Sequence, residues 1–504
     1  MVNLGSFIRF HATRTPDRLA VVYRDQRITY RDLLDRVEQL SAWLAEQGVG
    51  PETVVACFMK NSAAFLELAI AVSDRGAVFL PINYRLAAEE VRYILENSSA
   101  RLTVADADFS ERLASLPGIV YLDAEAQSDT RRAAGGRRRL PVPAAPRQPD
   151  DVFRLMYTSG TTDRPKGVVH TYGNFYWKCM DHVIHLGLSA EDRLMIVGPL
   201  YHVGAFDLPG LAVLWVGGAL YVHREFDADA ALRSIEDERL TCAWMAPVMM
   251  SRVLDCPDRH RYDLASLRWC IGGGEKTPES RNRAFRSLFT NGRYIDAYGL
   301  TETCSGDTLM EAGMEVKKIG STGRAVAHVE IQIRDDDGQP LAPGEVGEIC
   351  LRGPKVFKTY WKDPQRTAAS FWGDWFRTGD VGYLDGDGFL FLTDRKKDMV
   401  ISGGENIASS EVERVIYQLP QVAEVAVVGR PDEKWGERLI AIVVLRAGER
   451  LDQETLVAHC RGQLAAFKVP RELHIREALP RNPSGKILKR MLRDEFGGPG
   501  SGRT

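Results

Sequence analysis

The sharpest chemical signal in the sequence is a polar loop that follows an apolar, strand-like segment, Val152–Met156. The loop, Tyr157–Gly167, contains four serine or threonine hydroxyls, two glycines and one lysine, Lys166. Such a loop can surround a triphosphate with backbone N–H groups, hydroxyls and one cation. It is not a Walker A loop, because Pro165 precedes the lysine and glycine follows it. An ordinary polar surface loop is the alternative, and the loop alone leaves that choice open.

A second signal is the segment Asp296-Ala297-Tyr298-Gly299-Leu300-Thr301-Glu302. Its tyrosine could stack on a purine, and Thr301 could donate a hydrogen bond to a phosphate. Glu302 could bind Mg²⁺ together with phosphate oxygens and water. The alternative is a helix start, with Thr301 as the N-cap and Glu302 in the first turn. The two interpretations are compatible.

Three later segments carry weaker signals. Asp380 ends the segment 375–380 and follows a tight turn. A carboxylate there suits the two hydroxyls of a ribose, although a plain turn acid is the alternative. The charged run 394–398 precedes a short strand and a glycine pair, Gly403 and Gly404. Lys486 lies in a loop near the C-terminal end, within the segment 480–487. Each of these signals is inconclusive when taken singly.

The elements that must position these residues alternate between strand and helix at the start of the chain. Thr29 and Asp32 predict a helix start, and Gly48 is placed to end that helix. A buried strand over 53–59 and a helix over 62–75 follow. Alternation of this kind predicts parallel sheets covered by helices, an α/β fold.

The rest of the chain is expected to differ from this first part. Residues 152–394 mix many short strands, with a hairpin turn at 385–388. After 395 the chain restarts as a compact α+β unit of about a hundred residues. The arginine- and proline-rich segment 125–148 predicts a surface loop.

Composition indicates an ordinary globular protein. The 504 residues carry a formal net charge of -3, so the overall charge does not indicate a nucleic-acid-binding protein. The eight cysteines are scattered without a Cys-x-x-Cys pair, which favours free buried thiols over a zinc site. No signal peptide and no apolar run long enough to span a membrane is found, and the cytoplasm is the expected location. The arginines at 131–139 favour a solvated loop over contact with an anionic membrane.

In this order, the five segments resemble the acyl-adenylate-forming superfamily, which includes acyl-CoA synthetases, beetle luciferases and nonribosomal-peptide adenylation domains. The resemblance runs over nearly the whole chain. It implies an ATP-dependent carboxylate–CoA ligase that forms an acyl-adenylate with release of pyrophosphate and then a thioester with coenzyme A. It also implies a large N-terminal domain, 1–394, with helix-covered sheets and a barrel-like β subdomain. A hinge at 395–397 would join it to a mobile α+β lid, 398–504.

The resemblance also implies a set of nucleotide contacts. The phosphate loop would contain Thr158, Ser159, Gly160, Thr161, Thr162 and Lys166. Tyr298 would stack on adenine, within the segment that includes Asp296, Ala297 and Gly299. Thr301 would touch the α-phosphate, and Glu302 would bind Mg²⁺. The run Gly272-Gly273-Gly274-Glu275 would lie beside adenine and the acyl carboxylate, and Asp380 would hold the ribose with Arg395 nearby.

The remaining implied roles concern the reaction itself. His202 would form a gate between the ATP and acyl pockets, and Lys486 would bridge the carboxylate and the α-phosphate. Lys397 would be the hinge residue, and Gly403 and Gly404 would line the pantetheine tunnel. A non-catalytic nucleotide-binding protein, a luciferase-like oxygenase and a carrier-loading adenylation domain are the alternatives, and the short stretch after Lys486 favours a free-standing ligase.

Two departures from the family pattern stand out. Asp163 replaces a usual glycine and places an extra negative charge beside a triphosphate. Ala408-Ser409-Ser410 replaces a usual aromatic residue and proline, which bears on local contacts with coenzyme A. Residues near His202 and Trp244 are expected to line an apolar acyl pocket. A hydrophobic acyl group is therefore expected. The sequence most resembles fatty-acid–CoA ligases, which implies a medium- or long-chain fatty acid as the substrate, with an aromatic or alicyclic acid as the alternative.

Overall fold

The computed structural model describes residues 2–133, 138–158, 165–273, 279–395, 398–402, 405–432, 435–481 and 487–497. Its chain forms two compact units. The first comprises Met1–Thr277, Arg281–Glu330 and Leu351–Phe376, and the second comprises Pro278–Ser280, Ile331–Cys350 and Arg377–Thr504. The predicted domain boundary after 394 and the hinge at 395–397 stay predictions.

The α-helices in chain order are α1 (Gly5–Arg14), α2 (Tyr30–Glu46), α3 (Ala63–Asp74), α4 (Ala88–Ser98), α5 (Ala124–Ser128), α6 (Thr130–Ala133), α7 (Tyr172–Leu186), α8 (Val203–Asp207), α9 (Leu211–Trp215), α10 (Ala228–Glu238), α11 (Pro247–Leu254), α12 (Glu279–Leu288), α13 (Pro364–Ala369), α14 (Ser409–Ile416), α15 (Gln453–Arg461) and α16 (Lys489–Gly497).

The strands in chain order are β1 (Leu19–Tyr23), β2 (Gln26–Thr29), β3 (Val54–Phe58), β4 (Val78–Pro81), β5 (Leu102–Asp106), β6 (Ile119–Leu122), β7 (Val152–Thr158), β8 (Lys166–Thr171), β9 (Arg193–Ile196), β10 (Ala219–Val222), β11 (Cys242–Trp244), β12 (Trp269–Gly273), β13 (Arg293–Tyr298), β14 (Thr308–Leu309), β15 (Arg324–Ala325), β16 (Glu330–Arg334), β17 (Gly347–Arg352), β18 (Thr359–Tyr360), β19 (Phe371–Trp372), β20 (Trp375–Leu384), β21 (Leu390–Arg395), β22 (Val400–Ser402), β23 (Glu405–Ile407), β24 (Val422–Asp432), β25 (Gly436–Leu445) and β26 (Glu472–Arg476).

Two large sheets build the first unit. The nine-stranded sheet has the order β15-β14-β13-β12-β11-β9-β10-β1-β2, and its strands from β13 to β1 are parallel. The seven-stranded sheet has the order β18-β8-β7-β4-β3-β5-β6 and is parallel from β7 to β6. The mixed α/β class expected from the sequence is therefore confirmed.

Local sequence explains how the helices begin and where they bury. Thr29 and Asp32 form a capping box at the start of α2, as the sequence predicts. Every residue of α3 is buried, and this helix contacts β1 of one sheet and β3 and β4 of the other. A sequence that is apolar on nearly every side is typical of a helix enclosed between two sheets. Its two buried acids pair with arginines, Glu67 with Arg36 and Asp74 with Arg9.

The arginine-rich segment is more ordered at its start than expected. The sequence predicts a loop over 125–148, whereas the short helices α5 and α6 occupy 124–133, since Asp123 caps the first of them. Three of the arginines at 131–139 form ion pairs with acids of the same chain: Arg131 with Asp35 and Asp129, Arg132 with Glu125, and Arg139 with Glu46. Their charge is thus balanced locally. Within the described residues, no helix is both long and apolar enough to cross a membrane.

The second unit contains the half-barrel sheet and the C-terminal α+β sheet. In the half-barrel, β16, β17 and β20 are neighbours in this order, and β21 pairs antiparallel with β20 across the predicted hairpin turn at 385–388. In the C-terminal sheet, of order β23-β22-β25-β24 with β26 beside β25, successive residues of β24 and β25 face opposite sides. One face packs on α14 and α15, and the other packs on α16.

Candidate active site

The predicted phosphate loop lies at the tip of the β7–β8 hairpin. Thr158 is the last residue of β7 and stands opposite Lys166, the first residue of β8. The residues between, which include Ser159, Gly160, Thr161, Thr162 and Asp163, lie outside the described residues. The Oγ1 atom of Thr158 is buried without a hydrogen-bond partner among the described residues. A buried hydroxyl of this kind is suited to bind a ligand at the hairpin tip.

The lysine of the hairpin meets the predicted magnesium ligand in a compact triad. Lys166 Nζ lies 2.8 Å from Glu302 Oε1 and 2.7 Å from the hydroxyl of Tyr360. The same hydroxyl donates to Glu302 Oε1 at 2.8 Å, and the ammonium lies 4.2 Å from the centre of the tyrosine ring. Burial, and then the negative charge of Glu302, raises the pKa of Tyr360, so the hydroxyl keeps its proton.

Lys166 and Tyr360 both bind Oε1 of Glu302. The second carboxylate oxygen, Oε2, makes no hydrogen bond with a described residue. An oxygen of this type is a ligand that Mg²⁺ prefers. The donor set therefore fits the predicted metal role. Tyr360 was not predicted from the sequence, although it lies on β18, directly beside β8.

The turn that carries Thr301 and Glu302 is a short 3₁₀ turn, Thr301–Thr303. The alternative interpretation, a helix with Thr301 as its N-cap, is wrong. The residues after this turn have a left-handed backbone and therefore cannot continue a right-handed helix. Cys304, Ser305 and Gly306 have φ angles of 55°, 67° and 67°, all in the left-handed region. This region is costly for the two residues that carry a side chain, so the surrounding structure must hold it.

A buried lysine holds that left-handed turn. Lys355 Nζ donates to the carbonyl oxygens of Ser305 and Gly306 at 2.9 and 2.7 Å, and it lies 3.0 Å from Asp307 Oδ1. Both charged side chains are fully buried. Burial raises the pKa of Asp307, and the adjacent ammonium opposes that change. A buried pair with these extra hydrogen bonds fixes the turn, and removing one partner would leave an uncompensated charge.

A histidine holds the other side of the turn. His170 Nε2 lies 2.6 Å from the carbonyl oxygen of Thr301, and its Nδ1 accepts from Arg154, which also pairs with Asp207 at 2.7 Å. Burial, and then the positive charge of Arg154, lowers the pKa of His170 to about 3. The ring is therefore neutral, with its single proton directed at the Thr301 carbonyl. The predicted phosphate residue is thus positioned by a buried network that the sequence motifs do not reveal.

The predicted adenine segment lies on two neighbouring strands. Gly273 of β12 stands opposite Ala297 of β13, and Tyr298 is buried at the end of β13. A Cβ atom at Gly273 would lie 2.9 Å from the carbonyl oxygen of Ala297, so the close approach requires glycine. The Asp296 carboxylate accepts a hydrogen bond from Asn282 at 2.9 Å. The last two residues of the predicted run, Gly274 and Glu275, lie outside the described residues.

The predicted gate, His202, is the N-cap of α8. Its Nδ1 accepts the backbone N–H of Gly204 at 3.1 Å. The indole of Trp244 lies beside it, with the ring centres 6.5 Å apart. A Cβ atom on Gly198 or Gly204 would lie 2.3 Å from the indole, so both glycines allow the ring to pack directly on the backbone. The result is a flat aromatic wall next to the proposed gate.

In the second unit, the two predicted ribose residues lie on paired strands. Asp380 of β20 stands opposite Arg395 of β21 across the hairpin. The backbone N–H of Asp380 donates to Thr378 Oγ1 at 3.1 Å, which fixes the turn before it. The other predicted residues of this unit, Lys397, Gly403, Gly404 and Lys486, lie outside the described residues, and their roles stay predictions.

The departure at Ala408-Ser409-Ser410 has a structural role. The backbone N–H of Ser409 donates to Asp394 Oδ2 at 2.6 Å, and the Ser410 N–H reaches the same oxygen at 3.4 Å. Lys489 Nζ donates to Ser409 Oγ at 2.6 Å. Asp394 therefore binds the start of α14 through an N–H group that a proline at 409 could not supply.

Comparison with known proteins places these features in a family. A family model described as AMP-binding enzyme matches residues 8–361, and a second, described as AMP-binding enzyme C-terminal domain, matches residues 411–486. The chain is 37% identical over 504 residues to a feruloyl-CoA synthase of an Amycolatopsis species, covering 98% of this chain and 99% of the relative. It is 36% identical to an indoleacetate–CoA ligase of Aromatoleum aromaticum, covering 97% of each chain. It is also 36% identical to a long-chain-fatty-acid–CoA ligase of Mycobacterium tuberculosis, covering 98% of this chain and 99% of that one.

Solved structures agree with this grouping. The o-succinylbenzoate CoA synthetase of Bacillus subtilis, in complex with its acyl-adenylate intermediate, superimposes with a TM-score of 0.87 at 31% identity, covering 98% of each chain. ATP-bound MatB from Rhodopseudomonas palustris superimposes with a TM-score of 0.91 at 28% identity, covering 98% of this chain and 99% of that one.

Proposed function

The chain belongs to the AMP-binding enzyme family and is an ATP-dependent acid–CoA ligase that uses ATP, Mg²⁺ and coenzyme A, and we propose that its substrate is an aryl acid. The observation that carries this proposal is the aromatic wall at the gate, where Trp244 packs on Gly198 and Gly204 beside His202. A rigid aromatic surface suits a planar ring, since offset or edge-to-face ring contacts contribute roughly 0.5–1.5 kcal/mol beyond burial.

The relatives support the same choice. The feruloyl-CoA synthase, the indoleacetate–CoA ligase and the o-succinylbenzoate CoA synthetase are all named for acids that contain an aromatic ring. The long-chain-fatty-acid relative is nearly as similar. We therefore propose the aromatic acid, which the sequence analysis gave as the alternative substrate. The medium- or long-chain fatty acid predicted from the sequence remains the competing hypothesis.

In the first half-reaction, the carboxylate of the acid attacks the α-phosphorus of ATP, so an anion must approach a polyanion. The barrier is largely electrostatic, and cations placed where charge accumulates lower it. Lys166 brings an ammonium to the phosphate hairpin, and Thr301 brings its hydroxyl on a turn that Lys355 and His170 hold rigid. Glu302 would hold Mg²⁺, which when bound supplies further positive charge to the phosphates.

The position of Lys166 bears on how it would reach the phosphates. Its ammonium neutralises the carboxylate of Glu302 at 2.8 Å. We propose that Glu302 would hold Mg²⁺, whose charge would balance this carboxylate, so that Lys166 could pair with the phosphate oxygens of ATP. Tyr360 remains as the fixed hydrogen-bond partner of the carboxylate.

In the second half-reaction, the thiol of coenzyme A must reach the same carbonyl carbon. We propose that Lys486 bridges the carboxylate and the α-phosphate during adenylation and then leaves. Movement of residues 398–504 about the hinge at 395–397 would admit the thiol along Gly403 and Gly404. Asp380 and Arg395 would hold the ribose. These roles follow from the family resemblance of the sequence.

The proposal is tested by measuring pyrophosphate release with a panel of acids at saturating ATP and Mg²⁺. The panel contains cinnamates, benzoates, indoleacetate and fatty acids of short to long chain. We expect kcat/KM to be highest for an aryl acid, and adding coenzyme A should yield the corresponding thioester and AMP. A preference that rises steadily with alkyl chain length, with aryl acids at background, would refute the aryl-acid proposal and restore the fatty-acid prediction.

A further inference from the structure

A buried amide holds the backbone between the aromatic wall and the predicted gate. Asn61 lies between β3 and α3 and is 3% exposed. Its Nδ2 donates to the carbonyl oxygens of Gly198 and His223 at 2.7 and 3.1 Å, and its Oδ1 accepts the backbone N–H of Leu200 at 2.8 Å. A carbonyl only accepts and an N–H only donates, so these partners fix the direction of the amide. Asn61 therefore acts on the backbone and not on a ligand.

The partners of this amide belong to the other large sheet. Gly198 and Leu200 follow β9, and His223 follows β10, which is the parallel neighbour of β9 in the nine-stranded sheet. Asn61 itself follows β3 of the seven-stranded sheet. One side chain thus joins the carboxyl ends of strands from both sheets. Ligands of α/β proteins bind at the carboxyl ends of parallel strands, so the amide lies where a substrate site is expected.

The segment that Asn61 holds positions both the wall and the gate. A Cβ atom on Gly198 would lie 2.3 Å from the indole of Trp244, so the ring rests directly on this backbone. Pro199 has no N–H with which to anchor the segment. The N–H of His202 donates to the Pro199 carbonyl oxygen at 3.0 Å, which connects the gate to the same turn. A shift of this backbone would therefore move the indole and the gate histidine together.

We propose that Asn61 is a positioning residue for acid selection, whose amide holds residues 198–202 so that Trp244 and His202 keep the geometry that accepts a planar aryl acid. The proposal rests on the proposed function, because it takes the acid to bind at this wall. Binding groups must be held within about 0.5 Å by the residues behind them. A rigid aryl ring cannot follow a wall that has moved, whereas an alkyl chain adapts by changing rotamers.

The first test is Asn61→Ala, which removes all three hydrogen bonds. Pyrophosphate release is measured with cinnamate and with decanoate, and Mg²⁺·ATP is varied separately at saturating acid. We expect the KM of cinnamate to rise by roughly tenfold and the cinnamate-to-decanoate ratio of kcat/KM to fall by roughly tenfold, since small misplacements of a binding group have effects of this size. The KM of Mg²⁺·ATP should change by less than about threefold. An unchanged ratio, or an equal weakening of cinnamate and Mg²⁺·ATP, would overturn the inference.

The matched control is Gln39→Ala. Gln39 is a buried amide on α2 that donates to the carbonyl oxygen of Arg139 at 3.1 Å and accepts the N–H of the same residue at 2.6 Å. It fixes a backbone segment in the same manner but has no contact with residues 198–202. This variant should lower the melting temperature and keep the wild-type acid ratio. A fall in the ratio as large as that of Asn61→Ala would show that lost stability alone explains the effect, which would overturn the inference.

A second variant covers the case in which Asn61→Ala does not fold. Asn61→Asp keeps an oxygen for the Leu200 N–H, but its carboxylate has no donor for the carbonyls of Gly198 and His223. We expect the acid ratio to fall here too. If neither variant folds, Asn61 serves the fold as a whole and the inference is overturned. A wild-type enzyme that prefers decanoate would refute the proposed function itself, whereas a wild-type preference for cinnamate that the variants retain would refute only the role of Asn61.

Discussion

Removing the hydroxyl of Tyr360 tests how the magnesium ligand is positioned. Tyr360 is 2% exposed, and its hydroxyl donates to Glu302 Oε1 at 2.8 Å while accepting from Lys166 at 2.7 Å. Tyr360→Phe keeps the ring, and with it the contact to the Lys166 ammonium at 4.2 Å. A hydrogen bond to a charged group contributes about 1.5–3 kcal/mol. The change therefore removes one of the two partners of Glu302 Oε1, leaving Lys166 as the other, without opening a large cavity.

At 1.4 kcal/mol for each factor of ten, that loss corresponds to an increase of roughly 10- to 100-fold in the half-saturating concentration of Mg²⁺·ATP. The assay is pyrophosphate release at saturating acid with Mg²⁺ and ATP varied together. We expect the KM of the acid at saturating Mg²⁺·ATP to change by less than about threefold, since Tyr360 contacts Glu302 and Lys166 rather than the acyl wall.

The matched control is Tyr30→Phe. Tyr30 is also buried, and its hydroxyl donates to the carbonyl oxygens of Leu214 and Gly218 at 3.1 and 2.7 Å, away from the triad. This variant should lower the melting temperature without changing the dependence on Mg²⁺·ATP. If Tyr360→Phe behaved like the control, or weakened the acid and Mg²⁺·ATP equally, Tyr360 would have no positioning role.

Three further predictions concern folding and the two half-reactions. Since His170 has a pKa of about 3 when folded and an ordinary value of 6.5 when unfolded, its contribution to stability is complete above pH 6.5. That contribution is lost on acidification toward pH 3, at about 1.4 kcal/mol per pH unit. In urea unfolding, the free energy of unfolding should therefore differ less between pH 7.5 and pH 5.5 in His170→Asn than in the wild type. Lys355→Met leaves the Asp307 carboxylate buried and unpaired, so chemical unfolding should show a loss of about 3–5 kcal/mol that Lys355→Met with Asp307→Leu largely restores. Lys486→Ala should abolish adenylate formation yet retain thioester formation from supplied acyl-adenylate, and an equal loss in both half-reactions would contradict its role.

Much of the fold could be predicted because its signals are local. The capping box at Thr29 and the predominantly apolar helix α3 mark their own boundaries in the sequence. The hairpin turn at 385–388 is equally local. The short helices at 124–133 were missed because their signal is a single capping acid, Asp123, in a segment dominated by arginine and proline. Helix propensity over so few residues gives little to recognise.

The residues of the candidate site that belong to sequence motifs could be predicted. The residues that join the site only through tertiary contacts could not. Glu302 and Lys166 stand in recognisable segments, and the structure brings them within 2.8 Å. Tyr360, Lys355 and His170 come from other parts of the chain, and no spacing rule links them to the Thr301 turn. Their roles depend on burial, on paired charges and on the left-handed backbone, which become visible only when the chain is folded.

The central claim is that this enzyme joins an aryl acid to AMP before any thiol is present. The most direct measurement is to incubate the purified protein with 4-hydroxycinnamate, ATP and Mg²⁺ without coenzyme A and to analyse the quenched mixture by mass spectrometry. We predict an aryl-acyl-adenylate in an amount close to that of the enzyme, with matching pyrophosphate, and its conversion to thioester and AMP when coenzyme A is added. No adenylate and no pyrophosphate in the absence of coenzyme A, followed by thioester with ADP as the nucleotide product when coenzyme A is added, would contradict it.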